Sequence, residues 1–170
     1  MTISKNGLNI LKQLEGGPVL KAYRDGDSYS IGYGHYGVDA DTVITEQQAE
    51  SLLLQDVQSA QRTIDGMSLD LTQNQYDALV ILVYNIGTTA FQYSTLRALI
   101  EHDATPREEL RKQWLSWNKS RVNGVLTENS GLTKRRNKEW SLYCSGEASS
   151  WKMTAAATLL LLVLVILVII

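Results

Sequence analysis

Glu15, Asp25 and Ser30 are the residues whose types and spacing suit a reaction. Glu15 ends a stretch in which Leu8, Leu11 and Leu14 share one helical face, and it stands just before Gly16-Gly17. A carboxyl group there is next to the negative end of the helix dipole and beside apolar Leu14. Both surroundings favour the form that keeps its proton. Asp25 and Ser30 flank a turn sequence, and a hairpin loop spanning Gly26 to Tyr29 makes the two side chains cross-strand neighbours. The set is then one proton-carrying acid and a carboxylate–hydroxyl pair able to hold a water. Hydrolysis of a glycosidic bond with inversion uses those parts. The acid protonates the leaving oxygen, and a second carboxylate, roughly 6.5–9.5 Å from the first, activates water on the opposite sugar face. Acids at helix ends and turns are also common as plain solvated charges, and spacing alone leaves both readings open.

The elements that must position these residues are legible in outline. Ser4 caps the first helix and Gly16-Gly17-Pro18 ends it. Leu20–Tyr23 and Tyr29–Tyr33 read as two short strands around Asp25-Gly26-Asp27-Ser28. In the second strand Tyr29, Ile31 and Tyr33 give a bulky face, and Ser30, Gly32 and Gly34 a nearly bare one. Thr45-Glu-Gln-Gln48 is a capping box before a helix with Ala49, Leu52, Leu53, Val57, Ala60 and Ile64 at helical spacing, closed by Gly66. Thr72-Gln-Asn-Gln75 caps a helix whose segment Ala78–Tyr84 is apolar all round, the expected centre of the core. Thr105-Pro106-Arg107-Glu108 predicts a cap, an N1 proline and a capping-box acid for another helix, and a last helix is expected over about Thr133–Tyr143.

Composition narrows the chemistry. The 170 residues suit one domain, and sixteen Lys+Arg against eighteen Asp+Glu leave a net charge of -2. So small a charge argues against a polyanion partner held by bulk electrostatics, and no nucleic-acid partner is expected. Lys134, Arg135, Arg136 and Lys138 are expected to form a solvated helix face, because no set of stacking aromatics accompanies them. Two histidines and one cysteine are too few for a His/Cys structural zinc site, so neither a metal nor another cofactor is expected. Cys144 has no second cysteine to pair with and no basic or helix-N-terminal neighbour to activate it as a nucleophile. A Ser30–His35–Asp triad is unfavourable too: read as one strand, residues an odd number apart leave opposite faces.

The stretches Leu14-Glu-Gly16, Leu20-Lys-Ala-Tyr-Arg-Asp25 and Tyr29-Ser-Ile-Gly-Tyr-Gly-His-Tyr-Gly37 resemble the active-site region of phage-type lysozymes. That family, glycoside hydrolase family 24, includes the T4-like and lambdoid lysozymes. The likeness continues in Leu71-Thr-Gln-Asn-Gln-Tyr-Asp-Ala-Leu79, Tyr84-Asn-Ile-Gly87, Trp117-Asn-Lys119 and Gly131-Leu-Thr-Lys-Arg-Arg136, and so covers most of residues 6–145 in order. It implies a muramidase that cuts the β-1,4 bond between N-acetylmuramic acid and N-acetylglucosamine in peptidoglycan. Glu15 takes the place of the family's general acid, Asp25 of its second carboxylate and Ser30 of its water-positioning threonine. Tyr36, Tyr84, Asn85 and Thr95 match saccharide-binding positions, and His35 with Asp56 a structural pair. Asp25 lies one residue further from Glu15 than is usual in the family, and one residue nearer to the hydroxyl. Ser30 keeps that hydroxyl without the methyl that stiffens χ1.

The implied fold is α+β and mostly helical: a domain over residues 1–144 with a small hairpin-bearing lobe, a helical lobe and a cleft between them. A lytic transglycosylase, which needs only one acid, and an inactive wall-binding or virion structural module are the competing readings. After the Gly/Ser-rich linker 145–153, residues 154–170 carry no charge and would span roughly 25 Å as a helix. With Trp151 and Lys152 at its start, this segment is expected to be a C-terminal transmembrane helix that makes the lipid bilayer a partner. No apolar run opens the sequence, so no secretory signal is expected. The tail would insert after synthesis and leave the enzyme domain on the cytoplasmic side of a bacterial inner membrane, or in the membrane of a lipid-containing virion. A holin or virion components are the accessory partners this arrangement implies.

Overall fold

The structure, a computed structural model, describes residues 1–102 and 105–145. The first helix, α1, covers Lys5–Glu15, with Ser4 as its N-cap accepting from Gly7 N and Gly16 ending it in the left-handed region at φ 85°. Only glycine enters that region without a steric cost, so the chain turns away immediately after Glu15.

A three-stranded antiparallel sheet follows, β1 (Val19–Asp25), β2 (Ser28–Gly32) and β3 (His35–Tyr36), in that spatial order. The first turn is tighter than the four-residue loop expected. Asp25 pairs with Ser28, and Tyr23 rather than Asp25 lies opposite Ser30. The cause is Gly26 at φ 58°: a glycine with positive φ at the first central position makes a two-residue hairpin turn. The expectation that Ser30 and His35 share a strand is also corrected. Tyr33 and Gly34 form a turn between β2 and β3, and His35 faces Ile31 across the pair. The bare face of β2 is not open either, since Ser30 and Gly32 are as buried as Ile31.

Helices α2 (Glu46–Asp65) and α3 (Gln73–Ile86) both begin with the expected capping boxes, at Thr45/Gln48 and Thr72/Gln75. Residues Ala78, Leu79, Val80, Ile81, Leu82 and Val83 of α3 are all completely buried, the consequence of an apolar surface on every side. Around α3 pack α1, α2, α4 (Thr88–Gln92) and α7 (Ser130–Cys144); α5 (Thr95–Glu101) and α6 (Arg107–Leu115) complete the helical lobe. Trp114 of α6 meets Trp140 edge-on at 5.8 Å, and Trp140 stacks on Tyr143 at 5.4 Å. Pro106 occupies the N-cap of α6, one place earlier than expected, and no side chain caps that helix. Asn129 starts α7 three residues before the expected Thr133 by accepting from Leu132 N at 3.0 Å. Between α6 and α7 lies a hairpin the patterning did not reveal, β4 (Lys119–Val122) and β5 (Val125–Glu128).

The α+β part of the fold expectation therefore stands, and the transmembrane part is corrected. Among the described residues no helix is long and apolar enough to cross a membrane. Helix α7 ends at Cys144, and the expected span 154–170, with all of its linker except Ser145, lies outside the described residues.

Candidate active site

A cavity of about 470 Å³ opens between the small sheet and the helical lobe, lined by the end of α1, the β2–β3 turn, α2 and the end of α3. Four of the seven expected site residues, Glu15, Tyr36, Tyr84 and Asn85, are on its wall. Helix α1 puts Glu15 there as its last residue, held by Leu8 and Leu11, which are buried in the core. Asp56 of α2 and His35 of β3 complete one side, with His35 Nδ1 2.8 Å from Asp56 Oδ1. That contact matches the structural pair expected of them.

Asp25 and Ser30 do not line the cavity with Glu15, but they do meet each other. Ser30 Oγ donates to Asp25 Oδ2 at 2.8 Å. The contact is diagonal: Asp25 faces Ser28, and Ser30 is two residues further along the same face. Ser30 also pairs with Tyr36, so the carboxylate–hydroxyl pair shares a sheet face with a residue of the cavity wall. Ser30 is wholly buried and Asp25 exposed, which fixes the hydroxyl and leaves the carboxylate in contact with solvent. Thr95 is not part of the cavity wall; it is the exposed first residue of α5, behind the Ser94 cap.

The expected solvated basic face on α7 is overturned. Lys134 and Lys138 are exposed, but Arg135 and Arg136 are buried, together with Glu139. Arg135 Nη1 lies 2.8 Å from Glu15 Oε1, a cation at the candidate acid that the helix-end reading did not include. Arg135 Nε and Arg136 Nη2 both donate to Glu139 Oε1, at 3.1 and 2.7 Å. Burial pushes the Glu139 carboxyl up and the Arg136 guanidinium down, and their mutual attraction opposes both shifts. These three residues escaped detection because Arg and Glu on a helix normally face water. Their spacing held a signal: Glu139 is three and four residues beyond the arginines, on the same side as Trp140 and Tyr143.

Tyr84 spans the cleft, its phenol donating to the Tyr33 carbonyl at 3.2 Å. Burial pushes that phenol well above its ordinary range, and the nearby carboxylates of Glu15 and Asp56 push it further. It therefore stays a neutral donor. Among the described residues no group of three or more His, Cys, Asp and Glu could hold a metal ion.

This cleft, with an acid at a helix end on its wall and a carboxylate–hydroxyl pair on the adjoining small sheet, has the layout of a lysozyme. The profile of phage lysozymes matches residues 12–139, and the chain belongs to that family. It is 40% identical over 155 residues to an endolysin of Bacillus phage B103, an alignment covering 88% of this chain and 57% of that protein's length. It is 39% identical over 146 residues to an endolysin of Acyrthosiphon pisum secondary endosymbiont phage 1, covering 84% of this chain and 98% of the relative. Among solved structures it superposes on the muramidase domain of SpmX from Asticaccaulis excentricus with a TM-score of 0.78 and 29% identity, covering 85% of this chain and 98% of that one. The endolysin from Escherichia coli O157:H7 phage FAHEc1 superposes with a TM-score of 0.74 and 36% identity, covering 85% and 94%.

Proposed function

We propose that this chain is a peptidoglycan muramidase that hydrolyses the β-1,4 bond between N-acetylmuramic acid and N-acetylglucosamine with inversion at the anomeric carbon, and that it serves phage-mediated lysis of the host cell. Glu15 gives its proton to the bridging oxygen as the bond breaks. The carboxylate left behind has the Arg135 guanidinium 2.8 Å away, a fixed cation where negative charge develops. Asp25 takes the proton of the attacking water, and Ser30 holds Asp25 in place for that step. Tyr36, Tyr84 and Asn85 hold the glycan along the cavity wall.

The observation that carries the reading is the Ser30–Asp25 hydrogen bond on the sheet face shared with Tyr36. A one-acid transglycosylase has no use for a second carboxylate so prepared. The endolysins and the muramidase domain that resemble this chain support the same substrate and the lytic role. Purified peptidoglycan digested with the parent chain and with Glu15→Gln tests it. The expected result is reducing muramic ends from the parent, formed first as the inverted anomer, and none from the variant. Anhydromuramic ends in the mass spectrum would replace hydrolysis by transglycosylation, and no cleavage by either protein would favour an inactive wall-binding module.

A further inference from the structure

Glu139, wholly buried on α7, touches no part of the cleft, yet two of the residues that line the cleft are tied to it. Its Oε1 accepts from Arg135 Nε and Arg136 Nη2, and its Oε2 accepts from Trp114 Nε1 at 3.3 Å. Beyond it, Arg135 reaches Glu15, and Arg136 Nη2 directs its other N–H to Asn85 Oδ1 at 2.7 Å. Arg136 Nη1 also donates to the Trp117 carbonyl at 3.4 Å. One carboxylate thus stands between two guanidiniums, the first against the candidate acid and the second against a residue of the cavity wall.

The second contact has a directional consequence. A guanidinium only donates, so the atom Asn85 turns to Arg136 is its oxygen, and its amide nitrogen turns away. Among the described residues that nitrogen has no hydrogen-bond partner. Asn85 lines both the cleft cavity and an adjoining one of about 490 Å³, whose wall includes Trp117, Lys119 and Leu126. Its two N–H groups are therefore presented where a glycan strand leaving the cleft offers carbonyl and hydroxyl acceptors. Without the carboxylate, two buried guanidiniums from neighbouring residues would repel each other and neither would keep its aim.

We propose that Glu139 is a positioning residue for the site: through Arg135 it fixes the acid Glu15, and through Arg136 it fixes the Asn85 amide as a donor to the bound glycan. The proposal rests on the hydrolase reading above and adds that proton donation and substrate binding are set by one buried anion. It separates the two arginines by kinetic effect, which a purely structural role would not do.

The test is steady-state kinetics on soluble peptidoglycan fragments. Arg135→Lys is expected to lower kcat by about 100-fold with little change in KM, since one ammonium cannot hold both Glu15 and Glu139 and the acid is misplaced. Arg136→Lys and Asn85→Asp are expected to raise KM about tenfold and leave kcat within a factor of about two, the effect of one lost hydrogen bond. Asn85→Asp keeps an acceptor toward Arg136, removes the N–H donors and adds a negative charge that faces the Arg136 guanidinium. Glu139→Gln is expected to combine both effects. If it does not fold by circular dichroism, Arg136→Lys and Asn85→Asp decide: an unchanged KM in both overturns the proposal, as does parent-like kcat and KM in a folded Glu139→Gln. A parent chain that turns over no substrate defeats the hydrolase reading instead. Calorimetric titration with an N-acetylglucosamine oligomer then decides the positioning role, which fails if parent, Arg136→Lys and Asn85→Asp bind it equally.

Discussion

At the scale of single residues, the candidate reaction depends on how two side chains are held, Glu15 on the cleft wall and Asp25 on the small sheet beside it. Ser30 is the sharper test, because its hydroxyl is wholly buried and donates to Asp25 at 2.8 Å. Ser30→Ala removes that donor without adding bulk. The expected result is a fall in kcat of about ten- to 100-fold, the scale of one contribution to general-base catalysis, with KM nearly unchanged. A loss confined to KM in the same assay would show that Ser30 binds glycan and does not steady the base. Glu15, Asp25 and Ser30 were legible in the sequence because a helix end and a hairpin turn are local features, and both folded near where the patterning put them. Arg135, Arg136 and Glu139 were not. Their burial is offset by one another and by Glu15, Asn85, Trp114 and the Trp117 carbonyl, a condition that depends on tertiary packing.

At the scale of elements, α1 matters most, because its first turn is clamped and its last residue is the acid. Asp77 of α3, wholly buried, accepts from the Ser4 backbone N–H at 2.9 Å, from the Ser4 hydroxyl and from Gln73 Nε2 at 2.8 Å. The clamp leaves no room at Gly7, where a Cβ would stand 2.6 Å from Asp77 Cγ. Gly7→Ala improves helix propensity by about 1 kcal/mol in isolation. Here the clash is expected to win, giving a net destabilisation of about 1–3 kcal/mol in urea unfolding. A gain in stability would show that α3 yields to α1 and that the clamp is slack. The capping boxes were readable because each is a local hydrogen-bond pattern. The β4–β5 hairpin was hidden for the opposite reason: β5 is exposed throughout and β4 nearly so, leaving no apolar alternation to mark them. Its remaining sign is the turn Asn123-Gly124, where both residues take positive φ, 50° and 81°, as a type I′ hairpin turn requires.

At the scale of the whole molecule, two phenols, the buried Tyr76 and the half-buried Tyr84, join parts that are far apart in the chain. Tyr84 donates to the Tyr33 carbonyl and so ties α3 to the small sheet, while Tyr76 donates to the Met1 carbonyl and ties α3 to the chain start. Burial pushes both phenols above their ordinary range; the carboxylates of Glu15 and Asp56 add to this at Tyr84, and those of Asp65 and Asp77 at Tyr76. A group whose pKa is higher in the folded protein than in the unfolded chain contributes stability that is intact below the unfolded value, about 10 for tyrosine, and is lost as pH rises above it. Between pH 10 and 12 the unfolded chain releases these two protons and the folded protein keeps them. Stability is then expected to fall by about 1.4 kcal/mol per pH unit for each phenol. Urea unfolding of the parent, Tyr76→Phe and Tyr84→Phe at pH 8 and pH 11 separates this loss from that of other groups. Each variant is expected to be less stable than the parent at pH 8, where the hydrogen bond counts, and to lose less stability on going to pH 11. If the parent and both variants lose the same amount, alkaline unfolding is driven by other groups, and these phenols tie α3 to the small sheet and to the chain start through packing and hydrogen bonding alone.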